Sequence, residues 1–222
     1  YRLNGMKKNI SPQEKDQKVQ HITECAEKIF YEKGFEDTSM DYIAMKADVA
    51  KGTLYLYFTS KKDLYYAVVL RGLKKLEAMI VQHTQKFKTG FEKTYEMARM
   101  YIEFFYSHRE YYEFIVEYES HRAKDAEVNP FVRACYKESG KLFEILCAYI
   151  TQGKEDKSIK ESILPQKDSL VFWIQTVGLL QQLYLKEKLY KNMTDITSSE
   201  IIERHIEMIA SFLKNDSTGQ EG

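Results

Sequence analysis

Thr38-Ser39-Met40-Asp41-Tyr42-Ile43-Ala44, then Ala47-Asp48-Val49-Ala50, then Lys51-Gly52-Thr53-Leu54-Tyr55-Leu56-Tyr57-Phe58 and Ser60-Lys61-Lys62-Asp63-Leu64: the fold turns on this stretch. Thr38-Ser39-Met40-Asp41 reads as a capping box, and Ile43, Ala44 and Ala47 then give a short helix of about two turns. Asp48 and Val49 leave room only for a tight turn, and Asp is among the few residues besides glycine that tolerate a left-handed backbone. A second short helix follows at Lys51. Ser60-Lys61-Lys62-Asp63 caps a long helix that carries Leu64, Val68, Gly72, Leu73, Leu76, Met79 and Ile80. The small Ala44 and Ala47 let the two short helices cross closely, with Ile43, Val49 and Leu54 between them, while Phe58 shares a face with Leu54 and belongs to the core. The pattern is a helix-turn-helix.

Upstream, Val19, Ile22, Cys25, Ala26, Ile29 and Phe30 recur at spacings of three and four, so one face of a first helix is apolar. Ser11-Pro12-Gln13-Glu14 opens that helix with an N-cap, a first-turn proline and a capping-box glutamate, and Gly34 closes it. Downstream, helical periodicity continues near 91–107, 109–123, 129–151, 167–190 and 198–214, with breaks at Ser107-His108, Asn129-Pro130, Gly153, Pro165 and Asn192. No internal repeat or convincing strand is visible. The lysine-rich 152–162 stretch reads as a solvated loop, and 215–222 as a frayed, flexible tail. The five residues ahead of Met6 read as an appendage to the fold.

At 222 residues with 44% hydrophobic content the chain can fill a core, and its 30% charged residues, three prolines and ten glycines exclude fibrous or wholly disordered classes. No run approaches the roughly 18 apolar residues of a membrane span, and no signal-type apolar segment opens the chain, so a cytoplasmic protein with no membrane partner is expected. Cys25, Cys135 and Cys147 are widely spaced, which fits a reducing compartment and no zinc site. Charges balance at 33 basic and 33 acidic residues; residues 1–62 hold 11 against 9, a surplus with the sign of a nucleic-acid-binding head but small. No GxxxxGK[ST], GxSxG, HExxH or Glu-x-x-His occurs, so no catalytic residues, metal or cofactor are expected.

The second helix of a helix-turn-helix can enter the major groove of DNA. The run from Gly34 to Ala44, then Ala47 to Phe58 with its Lys-Gly-Thr-Leu-Tyr, then Ser60-Lys61-Lys62-Asp63-Leu64, resembles the DNA-binding head of the TetR/AcrR family of transcriptional regulators. The resemblance covers about residues 18–70. Two positions depart from the family pattern: Asp48 stands where Gly is usual and Ala50 where a Ser cap is common, a loss of about 1 kcal/mol of local helix stability. The resemblance implies an all-α protein, with a three-helix head at 6–62 and a larger ligand-binding and dimerisation body at 63–214. It implies that Thr38, Ser39 and Tyr42 meet phosphates at the start of the first short helix. Lys51, Thr53 and Tyr55 would project toward bases and backbone, Gly52 would permit close approach, and Tyr57 and Lys61 would hold flanking phosphates. Lys7 and Lys8 would form an arm reaching the minor groove.

Residues 91–123 are dense in aromatics, more than one helical face can absorb, so some must meet a cavity, a partner or water. In the family the middle helices enclose a small-molecule pocket. The expected lining is Tyr101, Phe104, Phe105, Tyr111, Tyr112, Phe114, Glu117, Tyr118, His121 and Trp173, with Arg122 as a further charge. The 167–190 helix has two apolar faces, Leu170, Trp173, Val177, Leu180 and Tyr184 on one and Val171, Ile174, Gly178 and Leu185 on the other. The second needs a partner, as does a stripe of Ile202, His205, Ile206 and Ile209 with Leu213. The family's last two long helices form a four-helix dimer interface. The resemblance therefore implies a homodimer that binds double-stranded DNA at a palindromic operator, most often as a repressor. An apolar or aromatic effector would release it by shifting the fourth helix, so that the heads no longer fit grooves roughly 34–36 Å apart. The alternatives are an activator of the same fold, or a helical ligand-binding or interaction module that does not bind DNA.

Overall fold

The structure is a computed structural model that describes residues 11–119 and 129–215; of Glu117 and Glu119 only the backbone is described. The described residues form helices α1 (Pro12–Lys33), α2 (Met40–Lys46), α3 (Lys51–Tyr57), α4 (Lys61–Thr84), α5 (Gly90–Ser107), α6 (Arg109–Glu119), α7 (Pro130–Glu155), α8 (Pro165–Thr194) and α9 (Ser198–Leu213). The chain divides into two compact units at Val69/Leu70, inside α4 rather than at the expected 62/63. The reason lies in the first turns of α4, where Leu64, Tyr65 and Val68 are buried with the head.

In the first unit the expected capping box of α1 is complete: Ser11 Oγ accepts from Glu14 N and Glu14 accepts from Ser11 N. Gly34 ends the helix at φ +81°, a conformation that costs glycine little. Ile22, Ala26 and Phe30 of α1 are buried, as are Ile43, Ala44 and Ala47 around α2, Leu54 of α3, and Phe58. Rings of Phe30, Phe35 and Tyr65 close one end, with Phe35 at 5.5 Å from Phe30 and 5.2 Å from Tyr65. Asp48 takes the left-handed turn at φ +51°. Val49 N donates to the Ala44 carbonyl at 3.0 Å, and His21 Nε2 donates to the Ala47 carbonyl at 3.0 Å, so α1 braces the turn between α2 and α3.

In the second unit α5 packs on α7, and α8 packs on α7 and α9. The α5–α7 contact is close at Gly90, where any side chain would strike the backbone of Tyr149 and Gly153. Gly90 N donates to Asp156 Oδ2 at 2.7 Å and Phe91 N to Ser158 Oγ at 3.1 Å. The 152–162 stretch is consequently not a solvated loop. Its first residues complete α7, Ile159 and nearby Ile163 are buried, and Lys160 N donates to the Leu213 carbonyl at 2.9 Å. The Asn215 N donates to the Ser158 carbonyl, while 216–222, expected as a tail, lie outside the described residues. Helix α8 runs past the expected break at Asn192 to Thr194, with a kink at Lys186 and a left-handed Asp195 as its end.

Candidate functional site

α2, its tight turn and α3 place the expected head residues in three kinds of position. Exposed at the front are Ser39, Lys51, Gly52 and Tyr55. Ser39 caps α2 through Tyr42 N at 3.2 Å, without the reciprocal carboxylate that a capping box requires, because the third helical residue is Tyr42. Lys51 Nζ lies 2.7 Å from Asp41, whose hydrogen bond and charge push the ammonium pKa upward, and 6.0 Å from the Tyr55 ring centre. Tyr42, Thr53 and Tyr57 are half-buried, and the Tyr42 ring receives Lys33 at 4.1 Å and Lys46 at 5.7 Å. α3 begins at Ala50 with no side-chain cap, as the missing Ser implied.

Two expected phosphate contacts are turned inward. Thr38 is buried and its hydroxyl donates to the Gly34 carbonyl at 2.8 Å, because the chain leaving α1 needs that carbonyl satisfied. Lys61 Nζ donates to the Phe35 carbonyl at 2.6 Å and to Glu36 O at 3.2 Å while lying over the Phe35 ring at 4.3 Å. It is a brace between the start of α4 and the α1–α2 connection. Lys7 and Lys8 lie outside the described residues. Met45 and Leu56 are further exposed apolar side chains on this unit, with no role assigned from the sequence.

In the second unit an apolar cavity of about 40 Å³ lies between α5, α7, α8 and α9. Met97, Tyr101, Trp173 and Val177 are among its walls, and the Tyr101 and Trp173 rings meet edge-on at 6.0 Å. Of the expected ligand residues, Tyr101 and Trp173 line this cavity. Phe104, Phe105, Tyr111, Tyr112, Phe114 and Tyr118 are buried as packing, in ring contacts such as Phe105–Tyr112 at 4.8 Å and Tyr112–Tyr184 at 6.0 Å. They absorb one another because α5 and α6 each offer a broad apolar face. His121, Arg122 and the side chain of Glu117 lie outside what the structure describes. Ligand sites for drug-sized molecules run to about 300–1,000 Å³, so an effector of that size must open this cavity.

Along α8 the buried line is Ser169, Phe172, Leu180 and Leu183. Leu170, expected on the inward face with Trp173, is instead exposed. Val171, Ile174 and Leu185 are exposed as an unpartnered face requires, and Gly178 is half-buried among them. On α9, Ile202 and Ile209 are buried within the chain and so are core rather than exposed interface, whereas His205 and Ile206 are half-buried. Met208 and Phe212 are exposed. Between α8 and α9 runs a groove of about 720 Å³ whose walls include Val171, Gly178, Tyr190, His205 and Phe212.

His205 Nε2 hydrogen-bonds Thr176 Oγ1 at 3.0 Å, and burial lowers its pKa from 6.5. His108 is lowered too, by burial and then by Lys75. Both imidazoles hold protons less tightly folded than unfolded, so the unfolded chain gains protons first as pH falls. The unfolding free energy should therefore be full above about 6.5 and decline as pH drops through the lowered values. Urea unfolding across that window, with His108→Gln/His205→Gln as the flattened comparison, checks this; an equal slope in both proteins refutes it.

Among the described residues no three His, Cys, Asp or Glu side chains are grouped as metal ligands, and no helix is long and apolar enough to cross a membrane. The described architecture defines a helix-turn-helix unit followed by a helical body. Residues 22–68 match the family model described as bacterial regulatory proteins, tetR family. An HTH-type transcriptional regulator of Staphylococcus aureus (strain USA300) is 34% identical over 85 residues, 38% of this chain and 44% of its own length. A Saccharomonospora viridis chain, described as a transcriptional regulator in complex with choline, superposes with TM-score 0.71 at 13% identity, over 90% of this chain and 99% of that one. AibR in complex with isovaleryl coenzyme A and operator DNA superposes with TM-score 0.59 at 18% identity, over 86% and 97%. At such identities the two superpositions establish the fold alone. The likeness to the tetR family of bacterial regulatory proteins thus lies in the helix-turn-helix unit, residues 22–68, and the chain spans less than half the length of the curated relative it matches.

Proposed function

We propose that the protein is a ligand-responsive DNA-binding regulator of transcription, a homodimeric repressor that holds a palindromic operator with α3 of each head. The observation that carries the reading is α3 itself: braced from behind through Leu54 and the His21–Ala47 bond, it presents Lys51, Gly52 and Tyr55 outward. A phosphate would replace Asp41 as the partner of Lys51, and Ser39, Tyr42 and Tyr57 stand near enough in sequence to hold the flanking backbone. Thr53, beside Tyr55, is the second base-facing candidate. The relative solved with operator DNA supports the DNA partner, and those solved with choline and isovaleryl coenzyme A support a small-molecule effector. α4 begins in the first unit and ends in the second, so a ligand that displaces it in the body moves a helix the head shares. The lining of the cavity favours an apolar or aromatic effector.

Selection from random duplex DNA at low salt tests the reading and returns the operator. An enriched palindrome is expected; no enrichment over bulk duplex would leave a helical ligand-binding module that does not bind DNA. With that operator, a cognate effector should change Trp173 emission and weaken DNA binding over one concentration range, since a single coupling free energy governs both. Trp173 is the sole tryptophan, so the signal has one source. Release of DNA at saturating effector with unchanged emission would move the effector site away from Trp173.

A further inference from the structure

We infer that Leu56 reads thymine methyl groups in the major groove, with Gly52 as the low point of the recognition helix that lets it reach them. This rests on the DNA-binding reading above and adds a specificity residue to it. Leu54 is fully buried and fixes the inward direction of α3. At about 100° per residue, Leu56 lies about 200° on from Leu54 and Gly52 about 200° back, so both flank the direction pointing straight away from the core. Thr53 and Tyr55 lie about 100° to either side, so they face bases toward the sides of the groove while Leu56 faces its floor. The burial agrees: Leu56 is 71% exposed against 41% for Tyr55, and Thr53 is half-buried.

A leucine this exposed in the middle of a lysine- and tyrosine-bearing helix stands outside the core that the described residues of its unit form, which is filled from the opposite side by Leu54 and Phe58. Its branched, wholly apolar end cannot donate or accept a hydrogen bond. Among the edges that bases present in the major groove, the one it fits is the C5-methyl of thymine. Gly52, one helical turn earlier on the same ridge, leaves open space where a side chain would stand. The ridge is therefore a single apolar projection beside a gap, with the Lys51 ammonium adjacent to neutralise the phosphates on either side of the groove.

The probe is the duplex returned by the selection, remade with uracil in place of thymine one position at a time. Uracil pairs identically and lacks the methyl. Affinities of the unaltered protein and of Leu56→Ala are measured at one salt concentration by anisotropy. At one or two thymines of a half-site the unaltered protein should lose roughly fourfold, the equivalent of about 0.8 kcal/mol per buried methyl, whereas Leu56→Ala should be indifferent there. The dependence of log affinity on log salt should be the same for both proteins, because no phosphate contact is removed. Uracil effects that are equal in the two proteins at every position, while the unaltered protein binds tightly, would overturn the assignment of Leu56. If the unaltered protein binds no duplex, the DNA reading falls and this inference falls with it.

Discussion

Gly52→Leu is expected to abolish operator binding while leaving the head folded at least as stably as before. Glycine in a helix is less favourable than alanine by roughly 0.5–1 kcal/mol, and that cost is normally explained by a left-handed backbone or a neighbour that a side chain would strike. Neither explanation applies at Gly52: it lies within α3, its φ is not left-handed, and a Cβ there meets no atom within 4 Å. Nothing among the described residues of the unit asks for glycine. The constraint is then outside it, where a duplex approaches the exposed side of α3. Gly52→Ala should raise the thermal midpoint of the head by a few degrees, and it should weaken operator binding about tenfold if one methyl forces a shift worth about 1.4 kcal/mol. Gly52→Leu carries three more carbons into the same space and should cost about a hundredfold or more. Paired melting curves and operator titrations decide the matter. Unimpaired binding by Gly52→Leu would mean that this face of α3 does not enter a groove.

The head was legible because its determinants are local. Ser11 with Glu14, the Asp48 turn, Gly34 and the Ile22–Ala26–Phe30 stripe each act over a few residues, and each stands in the structure where short-range chemistry puts it. The two head residues that departed from expectation are governed by contacts distant in sequence or by a local rival. Thr38 had a choice between a phosphate outside and the Gly34 carbonyl four residues back, and the carbonyl is always present. Lys61 finds its carbonyls 25 and 26 residues away, a pairing invisible to any window that sees only Ser60-Lys61-Lys62-Asp63.

The body was less legible for a related reason. Periodicity tells that α5, α6 and α8 are helical and amphipathic, but an aromatic on a broad apolar face can meet another aromatic or a cavity with the same sequence pattern. Tyr112 and Tyr101 are indistinguishable as letters; one packs on Phe105 and Tyr184, the other faces the cavity. The 152–162 stretch misled through its charge. Ile159 and Ile163 sit four apart among lysines and glutamates, yet both are buried, and Ile159 lies against Gly153, a close approach that average composition hides.

Ile174→Glu is expected to convert the proposed homodimer to monomers without unfolding either. Ile174 is 61% exposed in the single chain and stands with exposed Leu170 and Val171 on α8, while Met208 and Phe212 are exposed on α9, across the groove between the two helices. Exposed apolar side chains clustered on one side suit a subunit interface, and in the proposed homodimer a two-fold axis there would use the same patch on both chains. Because the side chain is exposed in the isolated chain, the substitution should change monomer stability by no more than about 0.5 kcal/mol. In the dimer the carboxylate is buried twice, once from each copy, and an uncompensated buried charge costs about 3 kcal/mol or more. Two copies at that cost correspond to roughly four orders of magnitude in the dimer dissociation constant. Sedimentation velocity should therefore show a monomer, and operator affinity should fall toward that of one head on one half-site. Ile209→Glu supplies the contrast, since Ile209 is buried within the chain and its variant should lose stability rather than association alone. An intact dimer of Ile174→Glu with unchanged operator affinity would place the subunit interface on another face and leave the α8–α9 groove without a role in DNA binding.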